Sequence, residues 1–314
     1  MFQTIYEFAD AVKGILEKRL ADCEVEIREV EKNNGVLLTG IAIRRKGSPI
    51  AHTIYINQLF EEYRDGRDVQ EIAGEIEKVY QLERKPDLQD FHVEDLVDFE
   101  KIRNKISLKL VNAGKNKNRL KSMPHRMFLD LAVVYEACVV NLTGAVGTVV
   151  VTNDMMKSWG VKEELLYELA LHNTLEHDRG VVKPLESLMQ TLIGSGEKTE
   201  EETHHYKDFD ISIAEDIQET ALYVATNRSK TNGAAVLLYP NLLDSVGTLL
   251  GDYFVLPSSI HETLLLPTDG GMEPDTLIQM VHEVNASVVA DEEVLSENVY
   301  RYDVAKKALY VIKA

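Results

Sequence analysis

The stretch "VVVTNDMMKSW" (Val149–Trp159) decides the fold class. β-branched residues lead into Asn153 and Asp154; two methionines follow, then two polar residues, and Trp159 closes the turn. This is a strand entering a helix through a polar cap, where a side-chain oxygen satisfies the free N–H groups of the first turn. "IYINQLFEEY" (Ile54–Tyr63) and "VLLYPNLLDSV" (Val236–Val246) share the layout. Either such joints simply look alike or the layout marks internal repetition. Both readings make the chain α+β, with antiparallel β-hairpins or small sheets each backed by helices, and repeated ββα units as the stronger form.

Working outward, residues 2–20 keep helical spacing and "CEVEIREVE" alternates like a half-buried strand. "GVLLTGIAIRR" and "PIAHTIYI" read as further strands, with turn chemistry at Asn33-Asn34-Gly35. Helices are expected at 57–65, 68–82, 90–104, 162–176 and 183–193. "LDLAVVYEACVVNLTGAVGTVVV" is broken by Asp130, Glu136 and Asn141, so it reads as paired strands and not as a membrane span. Near the end come strands at 252–256 and 262–266, then a helix at 274–288 with Leu277, Ile278, Val281 and Val284 as its buried stripe. A hairpin carrying Tyr300, Tyr302, Leu309 and Val311 completes the pattern. The expected division is 1–85 and 86–193 as α+β units, 194–210 as an acid-rich solvated loop or linker, and 211–314 as a third α+β unit.

The chain has 314 residues, 45% of them hydrophobic, enough for a real core. A net charge of −18 excludes a generally basic nucleic-acid binder. Cys23 and Cys138 are the only cysteines, which points to a reducing, cytoplasmic setting. The acid-bearing start lacks the cationic region of a signal peptide.

Charge is unevenly spread. Lys101–Arg126 holds nine Lys or Arg and no Asp or Glu, which leaves −27 on the rest of the chain. Such a strip either docks on the acids of its own chain or presents a cationic contact for phosphate, nucleic acid or an acidic partner. Lys115, Lys117, Arg119, Lys121 and Arg126 are the candidate binding residues.

"VLPSSIHETLLLPTDGG" (Val255–Gly271) brings Ser258, Ser259, His261 and Glu262 together. Ser259, His261 and Glu262 are candidate catalytic residues, with His172 or His282 as outside contributors. On a strand, Ser259 and His261 would share a face roughly 6.5–7 Å apart, awkward for a nucleophile and its base, while Glu262 faces away. No G-x-S-x-G elbow is present, so the structural reading is a hairpin bracketed by Pro257 and Pro267. His172 and Glu176, four apart on a helix, have metal-ligand spacing but only two donors. His204 and His205 lie among acids without fixed geometry. G-x-G-x-x-G, Walker, H-E-x-x-H, EF-hand and C-x-x-C motifs are absent, so no cofactor is expected.

"MPHRMFLDLAVVYEA", "LPSSIHETLLLPTDGG" with "MVHEVNASVV", and "EEVLSENVYRYD" resemble a clostridial family described as domain of unknown function 5688. More loosely, the "PHR" and "FLDLAVVY" strings and "NDMMKSWG" resemble the domain of unknown function 1444 family. The resemblance implies a cytoplasmic bacterial protein encoded on a mobile element, and no catalytic residue or cofactor. The expectation is a non-enzymatic interaction protein whose partner is a protein, without membrane binding and with nucleic acid engaged only through the basic strip. The alternatives are an acidic DNA mimic and a hydrolase or metal-dependent enzyme built on His261 and Glu262.

Overall fold

Alternation opens the first strand. From Cys23 to Glu31 (β1), Cys23 and Val25 are buried while Glu24 and Glu26 are exposed, the period of a sheet with one dry face. The computed structural model describes residues 2–48, 51–83, 93–142, 145–193, 201–214, 222–257 and 259–312. The chain divides into two compact units, residues 1–90 and 91–314.

In the first unit, β1 pairs antiparallel with β2 (Leu37–Arg45), which pairs with β3 (Ala51–Tyr55). The β1–β2 turn needs left-handed backbone twice in succession, and Asn34 (φ 60°) and Gly35 (φ 73°) adopt it. Three helices cover the sheet, α1 (Ile5–Arg19), α2 (Asn57–Arg64) and α3 (Val69–Glu83). Phe8 and Leu16 of α1, Phe60 of α2, and Ile72 and Ile76 of α3 join Ile41 and Ile43 in one core. Removing each such side chain from water contributes about 1.5–3 kcal/mol. The start of α1 is held from both sides. Thr4 Oγ1 accepts from the Glu7 backbone N–H at 3.2 Å, and the Glu7 carboxylate accepts from the Gln3 N–H at 2.8 Å.

The second unit runs α4 (Phe99–Ile102), β4 (Ile106–Asn112), α5 (Lys117–Leu120), β5 (Arg126–Phe128), β6 (Leu131–Leu142) and β7 (Ala145–Val150). It continues through α6 (Asn153–Trp159), α7 (Glu163–His177), β8 (Gly180–Pro184), α8 (Leu185–Ile193), β9 (Glu201–His205), β10 (Phe209–Ala214) and β11 (Tyr223–Asn227). It ends with α9 (Leu242–Leu250), β12 (Tyr253–Leu256), β13 (Thr263–Pro267), α10 (Pro274–Ser287), β14 (Val299–Asp303) and β15 (Ala308–Ile312). β6 pairs with β4, β5 and β7 in one sheet. The second sheet has the order β15-β14-β12-β13-β11-β8-β10-β9, antiparallel throughout except where β8 lies beside β10. Asp130, a charge inside an otherwise apolar run, ties the two sheets of this unit. It accepts from Ser296 Oγ (2.6 Å), Asn298 Nδ2 (2.9 Å) and Tyr300 OH (2.6 Å), so its burial is matched by donors.

The fold is α+β, with five departures from the sequence reading. "VLLYPNLLDSV" does not open on a strand. Gly233–Leu238 winds as a 3-10 helix, so the shared layout is a local joint at Tyr55–Asn57 and Val150–Asn153 rather than a repeat of three. The helix expected at 90–104 is, from Val93 on, broken into 3-10 turns around the four-residue α4, residues 90–92 lying outside the described residues. Of the expected loop 194–210, Glu201–His205 is a strand paired with β10, because a polar, solvated strand carries no apolar alternation to announce it. The residues expected as separate central and C-terminal units share one sheet, since β8 pairs with both β10 and β11. Within α10, Val284 is 39% exposed and Asn285 takes the buried place, donating to the Ser296 carbonyl at 2.9 Å.

Candidate functional site

β4 is an edge strand, and α7 meets its free backbone groups. Leu108 N–H donates to Thr174 Oγ1 at 3.1 Å, and Asn173 Nδ2 donates to the Ile106 and Arg103 carbonyls at 2.9 and 2.8 Å. Above this edge opens a cleft of about 620 Å³. Its lining mixes polar side chains (Asn104, Glu136, Thr148, His177 and Thr231 among others) with Ile106, Leu108, Val139 and Ala235, and carries no Phe, Tyr or Trp.

Glu136 is 5% exposed, and its carboxylate accepts from Lys109 Nζ at 2.9 Å and from Asn232 Nδ2 at 3.1 Å. A carboxylate this buried is tolerable only when its lone pairs are met this way. One wall of the cleft is the loop after β11. Asn227 closes it on itself, donating to the Thr231 carbonyl at 2.8 Å and accepting from the Thr231 N–H at 3.2 Å. Ser229 donates to both Asp178 carboxylate oxygens, from its N–H at 3.1 Å and its hydroxyl at 2.5 Å. Lys230 and Asn232 hold left-handed backbone, at φ 56° and 52°. Gly233 must be glycine here, because a Cβ would stand 2.2 Å from the His261 carbonyl oxygen.

Asn232 couples this wall to the serine–histidine stretch. Its backbone N–H donates to His261 Nδ1 at 3.2 Å. A ring nitrogen that accepts cannot carry a proton, so in the neutral ring the proton sits on Nε2, which faces Glu293 Oε1 at 3.4 Å. Ser259 Oγ instead donates to Glu262 Oε1 at 3.2 Å and accepts from the His261 backbone N–H at 3.0 Å. Ser259, His261 and Glu262 are therefore neighbours without a serine–imidazole hydrogen bond. They lie in the connection between β12 and β13, not on a strand, and Ser259 bridges to Val294. Ser258 lies outside the described residues.

The other candidates disperse. His172 and Glu176 form an exposed pair at 3.5 Å, and no group of three or more metal-ligating side chains forms among the described residues. His282 Nε2 lies 3.1 Å from the Glu297 carbonyl. His205 Nδ1 lies 2.8 Å from Asp210, whose carboxyl is held far below the usual range, first by Arg179 and then by His205 and Arg228 against the opposing effect of burial.

Five cations of the basic strip meet carboxylates of the same chain. Lys101 pairs with Asp95 (2.6 Å), Arg103 with Glu100 (3.0 Å), Lys109 with Glu136 (2.9 Å), Lys115 with Glu297 (3.0 Å) and Arg126 with Glu163 (2.8 Å). The last is the best built. Arg126 grips Glu163 with two nitrogens, its guanidinium lies 3.6 Å from the centre of the Tyr167 ring, and Tyr135 OH donates to the same carboxylate. The Arg126 bonds hold the Glu163 carboxyl below its ordinary value, against a smaller opposing effect of burial. Burial, aided by Glu163, pushes the Tyr135 phenol far up. Lys117, Arg119 and Lys121 meet no carboxylate in the described structure; Arg119 donates to Asn116 Oδ1 (3.2 Å) and Lys121 to Asn118 Oδ1 (3.0 Å).

Sequence reasoning did not single out Asn232, Asn227 or Asp178. Only Glu136, a charge inside an apolar strand, carried a visible signal. No described helix is long and apolar enough to cross a membrane. Among the curated proteins nothing matches the chain, and no solved structure matches it. A family of unknown function, DUF5688, matches over residues 5–304, and the chain belongs to that family.

Proposed function

We propose that this protein is a non-enzymatic interaction protein and that the cations of α5 contact an acidic segment of a partner protein. The observation that carries this is the division of the strip. Lys115 and Arg126 are committed to Glu297 and Glu163, whereas Lys117, Arg119 and Lys121 stand together on one turn without a carboxylate partner in the described structure. Clustered cations that the fold does not neutralise favour an anionic partner and speed its encounter. The proposal sets the protein in a bacterial cytoplasm as the product of a mobile element, and a sequence with only two cysteines, Cys23 and Cys138, supports the reducing compartment. The test is fluorescence anisotropy with a labelled oligoglutamate peptide and, separately, a labelled DNA duplex. Peptide binding that weakens about tenfold in Lys117→Glu/Arg119→Glu/Lys121→Glu is expected. Binding that the triple variant leaves unchanged, or preference for the duplex, removes the reading.

A second reading rests on the cleft over β4. Its volume of about 620 Å³, the buried Glu136 and the fixed Asn227–Gly233 wall suit a small polar ligand. Of the rings that can stack on a base, the lining holds only His177. Free amino acids, tried one at a time, should raise the melting temperature of the wild type and not of Asn232→Ala; no rise with any of them ends this reading.

A further inference from the structure

From Thr231 to Tyr300 the chain carries eleven Asp or Glu and no Lys or Arg. α10 lies inside this span. Its first turns are ordinary, since Leu277, Ile278 and Val281 pack with Phe254, Leu256, Leu266 and Val299 in a closed cluster. That face stays covered at Asn285, but an apolar stripe along its margin does not. Val284 stands seven residues after Leu277 and Val288 seven after Val281, two turns on, so each continues the direction of a buried side chain. Yet Val284 is 39% exposed and Val288 77% exposed, and Met280, four before Val284, is 43% exposed. Around this stripe lie the exposed acids Glu283 and Asp291, with Glu273 and Asp275 at the other end of the helix.

We infer that the C-terminal half of α10 docks a cationic amphipathic helix of a partner protein. The helix would lay an apolar face over Met280, Val284 and Val288 and bring Lys or Arg to the surrounding carboxylates. The inference does not depend on the contact proposed for α5. Three physical points select this occupant. An apolar stripe at helical spacing is the pattern read by helix-against-helix contacts. The exposed carboxylates beside the stripe repel anionic lipid and favour a cationic partner, the Lys115 that reaches this end of α10 being paired with Glu297. A second copy meeting α10 with α10 would oppose like charges across a two-fold axis, and α5 offers no substitute because its one large apolar residue, Leu120, is 6% exposed.

The experiment uses the full chain and a labelled Leu/Lys amphipathic helix peptide, with a Leu/Glu peptide of identical pattern as reference. Fluorescence anisotropy should show binding of the first and not the second. Met280→Ser/Val284→Ser/Val288→Ser, which keeps every charge, should weaken it about tenfold, and Glu283→Lys/Asp291→Lys should weaken it as well. Leu82→Ser, at an exposed apolar position of the first unit, should change nothing. If the triple variant loses its helical circular dichroism, Val288→Glu serves in its place, because that side chain is mostly outside. Unchanged peptide binding by the apolar variants would show only general attraction to an acidic protein and would overturn the proposal. So would a wild-type dimer in sedimentation that the same variants dissociate.

Discussion

The basic strip Lys101–Arg126 and the cation-free span Thr231–Tyr300 are opposites in charge and follow one rule. In each, part of the charge is consumed inside the fold and part is left at the surface. The strip gives five cations to carboxylates at Asp95, Glu100, Glu136, Glu163 and Glu297, and the remainder includes the cluster on α5. The span spends acids in the same way. Asp244 accepts from Tyr302, Asp252 from Arg301 at 2.8 Å and from the Val304 N–H at 3.0 Å, and Glu297 from Lys115 at 3.0 Å and Asn285 at 3.1 Å. Its exposed acids include Asp275 and Glu283 on α10. A count of charges in sequence thus overstates what either surface offers a partner, and only the paired geometry separates the two portions.

The contrast between consumed and surface charge is testable, beginning where desolvation is deepest. Glu136→Ala should destabilise the second unit by about 3–5 kcal/mol in urea unfolding, because it leaves Lys109 without its carboxylate in a site where that lysine is only 17% exposed. Adding Lys109→Met should return most of the loss. If the single variant costs no more than an exposed pair, the strip has no consumed charge at this position.

Glu163→Gln should cost about 2 kcal/mol at neutral pH, since charge-assisted bonds from Arg126 and a bond from Tyr135 are lost. The sign of its pH dependence follows from the lowered carboxyl. Its stabilisation is complete above the unfolded-state value, about 4.3, and is lost as pH falls through the lower folded-state value. Wild type and variant should therefore differ most above pH about 5 and converge in acid. A gap that stays constant down to pH about 2 would contradict that linkage.

Lys115→Ala should cost about 0.5–1 kcal/mol, because this ion pair is about 40% exposed on both sides. The smallest effect belongs to the unspent cations. Lys117→Glu/Arg119→Glu/Lys121→Glu should shift stability by no more than about 0.5 kcal/mol per site. A larger loss would mean that α5 also works inside the fold.

Much of this architecture is legible before any coordinates. β1 reads from its alternation, the β1–β2 turn from Asn34-Gly35, the β6–β7 pair from an apolar run broken by charges, and α10 from Leu277, Ile278 and Val281. The failures have physical causes. Glu201–His205 is polar on both faces, so its pairing to β10 leaves no trace in hydrophobic period. Val284 has the right spacing for burial but lies at the margin of the covered face, where Asn285 takes the buried place, and spacing cannot say where a neighbour sits. The Ser259–His261–Glu262 cluster was visible as a composition, whereas the bond from the Asn232 N–H that turns the imidazole away from the serine joins residues 29 apart.

Local chemistry alone settled that the chain is α+β, where the joints at Tyr55–Asn57 and Val150–Asn153 fall, and that its charge is segregated, because caps, turns and side-chain period act over a few residues. Which carboxylate meets which cation, that Asn232 fixes His261 and Glu136 together, and that Met280, Val284 and Val288 are left exposed beside the buried face of α10 were decided only by tertiary packing. Those outcomes depend on distances between residues far apart in the chain, and no short-range preference encodes them.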